Sequence, residues 1–133
     1  QSCIKMTNSE CVELADAWIK RYELVERFGD TSQAAVSTYR TYLAFDRLTK
    51  ADEESAWDVI LHIVERTENE FVLENLAAGP LETLLGKHGI AFIDRIEARA
   101  AVDPRFRWLL EGVWQGQMPN QLWSRIQRAC SSA

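Results

Sequence analysis

Apolar residues recur every three or four positions along almost the whole chain, which is the spacing of one face of an α-helix. The clearest example is the line Trp57, Ile60, Leu61 and Val64, at positions i, i+3, i+4 and i+7. The pattern predicts an all-α fold with no sheet and about eight helices. Residues 1–133 are expected to form a single domain. Short connections favour a compact multi-helix bundle or a curved stack of helical hairpins.

Polar residues at the ends of these lines predict where the first helices begin. Thr7 and Glu10 match a capping box and predict the start of the first helix, which Gly29 ends. A second helix is predicted from residues 30–32 to about Leu48, and Thr49 is the predicted cap of a third. The second helix carries two apolar lines, one of Val36, Tyr39 and Leu43 and the other of Tyr42 and Phe45. This broad apolar face predicts contact with more than one neighbour.

Similar signals predict the later helices. A fourth, short helix is expected over about residues 69–77, and apolar spacing over residues 92–100 predicts a further one. Asp103 followed by Pro104 is typical of an N-cap and a first helical position. After the break "GQMPNQ", Pro119 is expected to start a last helix with Leu122, Trp123 and Ile126 on its apolar face.

The stretch "LAAGPLETLLGKHG", residues 76–89, raises the question of a phosphate-binding loop. The pair Gly86-Lys87 lacks the upstream glycine and the following Ser or Thr of a P-loop, and no strand precedes it. Helix boundaries explain the stretch better: Gly79 ends one helix, Pro80 starts the next, and Gly89 is the predicted left-handed cap.

His88 falls on the apolar face of that short predicted helix, in its last turn, with Leu81, Leu84 and Leu85. The simpler interpretation is a partly buried histidine bonded to a late carbonyl of the helix. The alternative is a buried histidine that controls a partner surface, since histidine changes charge near neutral pH.

Composition narrows the class of protein. The chain has 133 residues, 47% of them hydrophobic, and five tryptophans, enough for a substantial core. No apolar run approaches the ~20 residues of a membrane span, and no signal segment opens the chain, so we expect a cytoplasmic protein without a membrane partner. Residues 1–8 are expected to be flexible or vector-derived. The three cysteines, Cys3, Cys11 and Cys130, have no zinc-type spacing and cannot form a closed disulfide framework, which predicts free thiols.

Charge gives the leading functional hypothesis. The net charge is −5, and residues 52–74, here called the acidic segment, hold eight acidic side chains and one arginine. Such a surface disfavours nucleic acid and favours a basic protein partner. We therefore expect a non-catalytic acidic protein-binding module, in its most concrete form an immunity protein that neutralises a basic toxin or effector. The predicted partner-binding residues are Glu53, Glu54, Asp58, His62, Glu65, Glu68, Glu70 and Glu74.

Two other classes remain open. His62 with Asp58 and Glu65, or His88 with nearby carboxylates, would suit a small-ligand-binding or metal-binding enzyme. A helical subunit that buries residues 106–114 against a copy of itself is the other class. No residue is predicted to be catalytic, to bind a cofactor or to ligate a metal. A possible basic patch is formed by Lys87, Arg95, Arg99, Arg105 and Arg107.

Residues 75–114, "NLAAGPLETLLGKHGIAFIDRIEARAAVDPRFRWLLEGVW", carry a longer resemblance. With the upstream "ESAWDVIL", they resemble an uncharacterised bacterial family of small helical proteins, a domain of unknown function with the pattern "LAAGPLExLL…HG…FIDRIE…DPRFR…GVW". The likeness extends over about residues 55–125. It implies a helical fold and brings no catalytic residue with it.

Overall fold

The computed structural model describes residues 5–131, which contain helices and no strand. The helices are α1 (Asn8–Phe28), α2 (Gln33–Ser37), α3 (Tyr39–Ala51), α4 (Glu53–Arg66), α5 (Glu70–Leu76), α6 (Glu82–Val102), α7 (Pro104–Leu110) and α8 (Asn120–Cys130), with a π-helical turn (Ala77–Leu81) that joins α5 to α6. The all-α prediction is confirmed. The prediction of a flexible or vector-derived terminus over residues 1–8 falls in part on residues 1–4, outside the described residues, and Asn8 already begins α1.

The first helix begins and ends as predicted. The Thr7 N–H donates to Glu10 Oε1 at 2.8 Å, and the Glu10 N–H donates to Thr7 Oγ1 at 3.1 Å, which completes the capping box. Gly29 has a φ of +95°, a left-handed value that glycine adopts without the steric cost of a Cβ. Its N–H donates to the Val25 carbonyl. α1 then packs mainly against α4, with α3 and α5 beside it.

Large aromatic rings form the centre of a single continuous apolar core. Trp57 of α4 lies 5.7 Å, between ring centroids, from both Phe92 of α6 and Phe106 of α7. Trp18 of α1 meets Phe45 of α3 edge-on at 5.8 Å. Such aromatic pairs add to the free energy gained by burying their area, so these contacts join helices from both halves of the chain.

The predicted second helix is in fact two helices. The chain breaks at Thr38, where the buried Arg21 of α1 donates to the Ala35 carbonyl at 2.7 Å and to Thr38 Oγ1 at 3.0 Å. The prediction that Thr49 caps the next helix is wrong: Thr49 is buried inside α3, and its hydroxyl donates to the Asp46 carbonyl. The cap is Asp52, whose carboxylate accepts from the Ser55 N–H at 3.2 Å.

Residues 76–89 do not contain the helix stop and restart that we predicted at Gly79 and Pro80. The chain stays helical through a π-helical turn, in which the Glu82 N–H reaches the Ala77 carbonyl five residues back. Such a wide turn accommodates the missing N–H of Pro80. α5, this turn and α6 therefore follow one another without an intervening loop.

The predicted left-handed cap at Gly89 is also wrong. Gly89 lies within α6, which is kinked at His88 (φ −132°, ψ 17°). A Cβ at position 89 would lie 2.4 Å from Leu122 Cδ2, so a larger residue would have to displace the Leu122 side chain, and the glycine serves the approach of α8 and not a turn. Ile90, the next residue, is 79% exposed, so it makes no apolar contact of the kind that would close a helix cap.

The last two helices follow the prediction. Asp103 caps α7, since its carboxylate accepts from the Arg105 and Phe106 N–H groups at 3.0 and 3.2 Å, and Pro104 is the first helical residue. Pro119 precedes α8, which packs along α6. Among residues 5–131, no helix has both the length and the apolar character to cross a membrane.

Candidate functional site

The predicted partner-binding residues lie on two helices and the turn between them. Asp52 is the N-cap of α4, and the carboxylates in the first turn of this helix interact favourably with the positive end of the helix dipole. The other acidic side chains project outward because the opposite side of α4 packs into the core. α4 carries Glu53, Glu54, Asp58, His62 and Glu65, the connection carries Glu68, and α5 carries Glu70 and Glu74.

Three of these carboxylates are paired with arginines of the same chain. Arg95 of α6 donates two hydrogen bonds of 2.8 Å each to the Glu54 carboxylate, and this hydrogen bonding lowers the pKa of Glu54. The other two pairs are longer, Arg99 to Glu65 at 3.4 Å and Arg105 to Glu68 at 3.6 Å. Three arginines of the predicted basic patch are thus paired with three carboxylates of the predicted acidic surface within the same chain.

Three other carboxylates have no such partner. Asp58, Glu70 and Glu74 are exposed, and no ion pair or hydrogen bond joins their side chains to another group among residues 5–131. Glu70 and Glu74 are one helical turn apart on α5. These three side chains are the members of the predicted set that are available for a charged partner without breaking an internal pair.

His62 links α4 to the start of α1. Its Nε2 lies 3.1 Å from Asn8 Oδ1, and its Nδ1 lies 4.0 Å from Glu65 Oε1. Asp58 is not paired with it. Within the described part of the chain, no group of three or more His, Cys, Asp and Glu side chains is placed to hold a metal ion. The predicted trio of Asp58, His62 and Glu65 is therefore not assembled as a ligand set.

His88 lies at the kink of α6 rather than in the last turn of a helix, and the predicted bond to a late carbonyl is not formed. Its Nδ1 lies 3.9 Å from Glu53 Oε2 of α4, and its Nε2 is buried without a hydrogen-bond partner among the described residues. His88 thus connects the kink to the first turn of α4 through one weak contact.

A groove lies between the end of α7 and α8. It has a volume of about 630 Å³ and is lined by Trp114, Trp123 and Cys130, among others, but by neither histidine. Burial, and then the nearby Glu111 charge, raises the pKa of Cys130, so its thiol is mostly protonated at neutral pH. The groove therefore brings no activated nucleophile or histidine base together with a carboxylate.

The other described thiol also has a raised pKa. Cys11 is buried and free, and burial, followed by the charges of Asp58, Asp52 and Glu10, raises its pKa. Both thiols are free, as predicted, while Cys3 lies outside the described residues.

Sequence reasoning missed a second exposed surface. Val36, Tyr39 and Leu43 are 64%, 49% and 42% exposed, although their spacing is that of a buried helix face. The signal that distinguishes them is the arginines on the same line, Arg40 and Arg47, which would not suit a core-facing position.

The comparisons with known proteins identify the family of this chain. A model of a family of unknown function, DUF6869, matches residues 30–133. No curated protein and no solved structure matches the chain. The family match confirms the resemblance to a domain of unknown function that residues 75–114 predicted. The chain belongs to DUF6869, a family of unknown function.

Proposed function

We propose that this protein is a non-catalytic binding module for a basic protein partner. The observation that supports this most is the set of exposed, unpaired carboxylates of Asp58, Glu70 and Glu74 along α4 and α5. Basic side chains of the partner can pair with these carboxylates without displacing an arginine of this chain. Charge complementarity of this kind mainly raises the association rate and the specificity.

The internal pairs divide the predicted contacts into two groups. Glu54, Glu65 and Glu68 each share their charge with an arginine, so a partner that contacts them competes with Arg95, Arg99 or Arg105. We place Asp58, Glu70 and Glu74 at the first encounter, and the paired carboxylates at the edge of the final interface.

The most concrete form of the proposal is an inhibitory partner, such as an immunity protein for a basic toxin or effector. Its support is that a stable helical scaffold with an acidic face can cover a basic active or nucleic-acid-binding surface of the partner. Rapid association suits such a role, because an inhibitor must bind before the toxin acts.

Affinity capture tests the proposal. The wild-type chain and the variant Asp58→Lys/Glu70→Lys/Glu74→Lys are immobilised and exposed to extract of the organism that encodes the protein. A control, Glu13→Lys/Asp30→Lys/Glu111→Lys, changes the net charge equally at exposed carboxylates without an ion pair, away from the acidic segment. We expect a basic protein to be captured by wild type and control and lost from the test variant. Capture by all three, or loss from both variants, contradicts the proposal.

Self-association is a second candidate, and the observation that favours it is Trp114, which is 76% exposed beside the groove between α7 and α8. Phe106, Leu109 and Leu110, expected to form part of that contact, are already buried in their own chain. Light scattering tests this candidate: a dimer that Trp114→Ala converts to monomer supports it, and a wild-type monomer at high concentration removes it.

A further inference from the structure

A second surface, on α2 and α3, has the composition of a docking site. Here the α2–α3 face denotes Val36, Tyr39, Arg40, Leu43 and Arg47, all of them exposed. The buried residues of these helices, Ala35, Phe45 and Thr49, lie on the other side of the helix axis. The face therefore points away from the core, although Tyr39 stacks on Tyr42 within the chain at 5.4 Å between ring centroids.

The arginines of the α2–α3 face differ from most others in the chain. Arg66, Arg95, Arg99, Arg105 and Arg125 each form an ion pair with a carboxylate. Neither Arg40 nor Arg47 does so among residues 5–131. The one carboxylate on neighbouring turns, Asp46, is engaged by Lys50 at 2.9 Å. Glu10 and Glu13 of α1 line the same groove as Arg47 but form no ion pair with it, so within the described residues the face keeps two arginines without a counter-charge although the chain as a whole is acidic.

A third arginine lies beneath this face. Arg21 is only 7% exposed, and its guanidinium lies 5.6 Å from the Tyr39 ring centroid and 6.0 Å from that of Tyr42. It donates to the Ala35 carbonyl and to Thr38, its Nε has no partner, and no carboxylate pairs with it among the described residues. A buried charge without a counter-charge is costly, and an approaching carboxylate would compensate it.

We propose that the α2–α3 face binds an acidic, amphipathic helical segment of another protein. Tyr39 and Leu43 are one turn apart on α3, and Val36 lies on the adjoining α2, so the three exposed apolar side chains form a patch on which a partner helix can place its own apolar line. Arg40 and Arg47 flank that line and fit carboxylates beside it. This surface is separate from the acidic segment and takes a partner of the opposite charge.

An anionic membrane is the other occupant that arginines and apolar side chains suit. The observations favour a protein segment. The net charge of −5 opposes the approach of the whole chain to an extended anionic surface, whereas a short acidic segment meets only the local arginines. Three apolar side chains also give little area for insertion into lipid.

The test uses the full chain and a displayed library of random peptides about 16 residues long, roughly four helical turns. We expect the peptides that wild type enriches to carry net negative charge and apolar residues at helical spacing. Basic peptides that Asp58→Lys/Glu70→Lys/Glu74→Lys no longer enriches belong to the acidic segment; the absence of acidic peptides among those that wild type enriches would overturn the proposal. An outcome at this surface is independent of the acidic segment, which the variant Asp58→Lys/Glu70→Lys/Glu74→Lys tests by itself.

Binding of an enriched peptide is then measured by fluorescence anisotropy with matched variants. Arg40→Glu and Arg47→Glu should each weaken binding about tenfold or more, and Val36→Ser should weaken it several-fold. Lys87→Glu, at an exposed lysine of α6 beside residues 115–117, should change it less than about twofold because Lys87 is not part of the α2–α3 face. Equal weakening by Lys87→Glu and Arg40→Glu contradicts the proposal. So does sedimentation of wild type with phosphatidylserine vesicles that Arg40→Glu abolishes, which would assign the face to a membrane.

Discussion

Arg95 holds Glu54 through two parallel hydrogen bonds of 2.8 Å and so ties α6 to the first turn of α4. The same guanidinium lies over the Phe92 ring, 4.1 Å from its centroid. Both side chains of the pair are more than two-fifths exposed. The contact therefore orients charges on the surface more than it stabilises the fold, since exposed pairs contribute little.

A double-mutant cycle of Glu54→Gln and Arg95→Gln measures that contribution. We expect a coupling of less than about 1 kcal/mol in the free energy of unfolding, decreasing with added salt. Arg95→Gln alone should cost more than Glu54→Gln alone, because it also removes the cation–π contact with Phe92. Urea unfolding at low and high salt provides the values. A coupling well above 2 kcal/mol, or one that salt leaves unchanged, would contradict a surface role.

Two glycines of α6 should respond oppositely to alanine. Gly86→Ala meets no atom within 4 Å and should raise stability by about 0.5–1 kcal/mol through helix propensity. Gly89→Ala places a Cβ 2.4 Å from Leu122 Cδ2, and overpacking of about 1–3 kcal/mol should outweigh the same propensity gain.

Thermal unfolding of both glycine variants checks this. The combination of Gly89→Ala with Leu122→Ala provides the control, because the smaller side chain leaves room for the new methyl group. Alanine at position 89 should then cost less than it does in wild type. A stabilising effect of Gly89→Ala by itself would show that α8 does not approach α6 as closely as described.

Asp103 should stabilise the start of α7 in a pH-dependent way. Burial raises the pKa of Asp103, but hydrogen bonds from Arg99 and from the Phe106 and Arg105 N–H groups outweigh it, so the pKa lies below its ordinary 3.8. A carboxyl with a lowered folded-state pKa contributes stability above the unfolded value, and loses it as pH falls through the folded value. Asp103→Ala should cost about 1–2 kcal/mol at neutral pH through loss of the cap.

Asp103→Asn separates the cap from the charge, because asparagine still accepts the backbone hydrogen bonds. Its deficit relative to wild type should be smaller than that of Asp103→Ala and constant near neutral pH. It should begin to close as pH falls below about 3.8, the ordinary pKa of the carboxyl in the unfolded chain, and should vanish once the pH lies below the lowered pKa of the folded state. Guanidinium chloride unfolding across this range measures the deficit, and one that widened in acid would contradict the stated direction of the pKa.

The sequence predicts those features that depend on neighbouring residues. Thr7 and Asp103 bond to N–H groups two or three positions away, so their capping roles follow from local order. The period of the apolar residues likewise predicts the all-α class. Gly89 misled the prediction because a helix stop and a close helix crossing both select glycine, and only the position of Leu122 distinguishes them.

The candidate site was predictable in composition but not in arrangement. The excess of carboxylates over residues 52–74 is plain, yet the pairing of Glu54 with Arg95 depends on the register between α4 and α6, which no local pattern encodes. The same limit applies to α3, where two apolar lines compete for the core. Phe45 faces inward because it meets Trp18, and this leaves Leu43 exposed.

The salt dependence of the association rate tests the central proposal most directly. The rate constant for binding the captured partner is measured by stopped flow over a range of ionic strengths, for wild type and for Asp58→Lys/Glu70→Lys/Glu74→Lys. If these carboxylates steer a basic partner, the wild-type rate falls steeply with salt, and the variant associates at least about tenfold more slowly at low salt with a shallower slope. Equal rates and equal slopes for the two proteins would contradict the account.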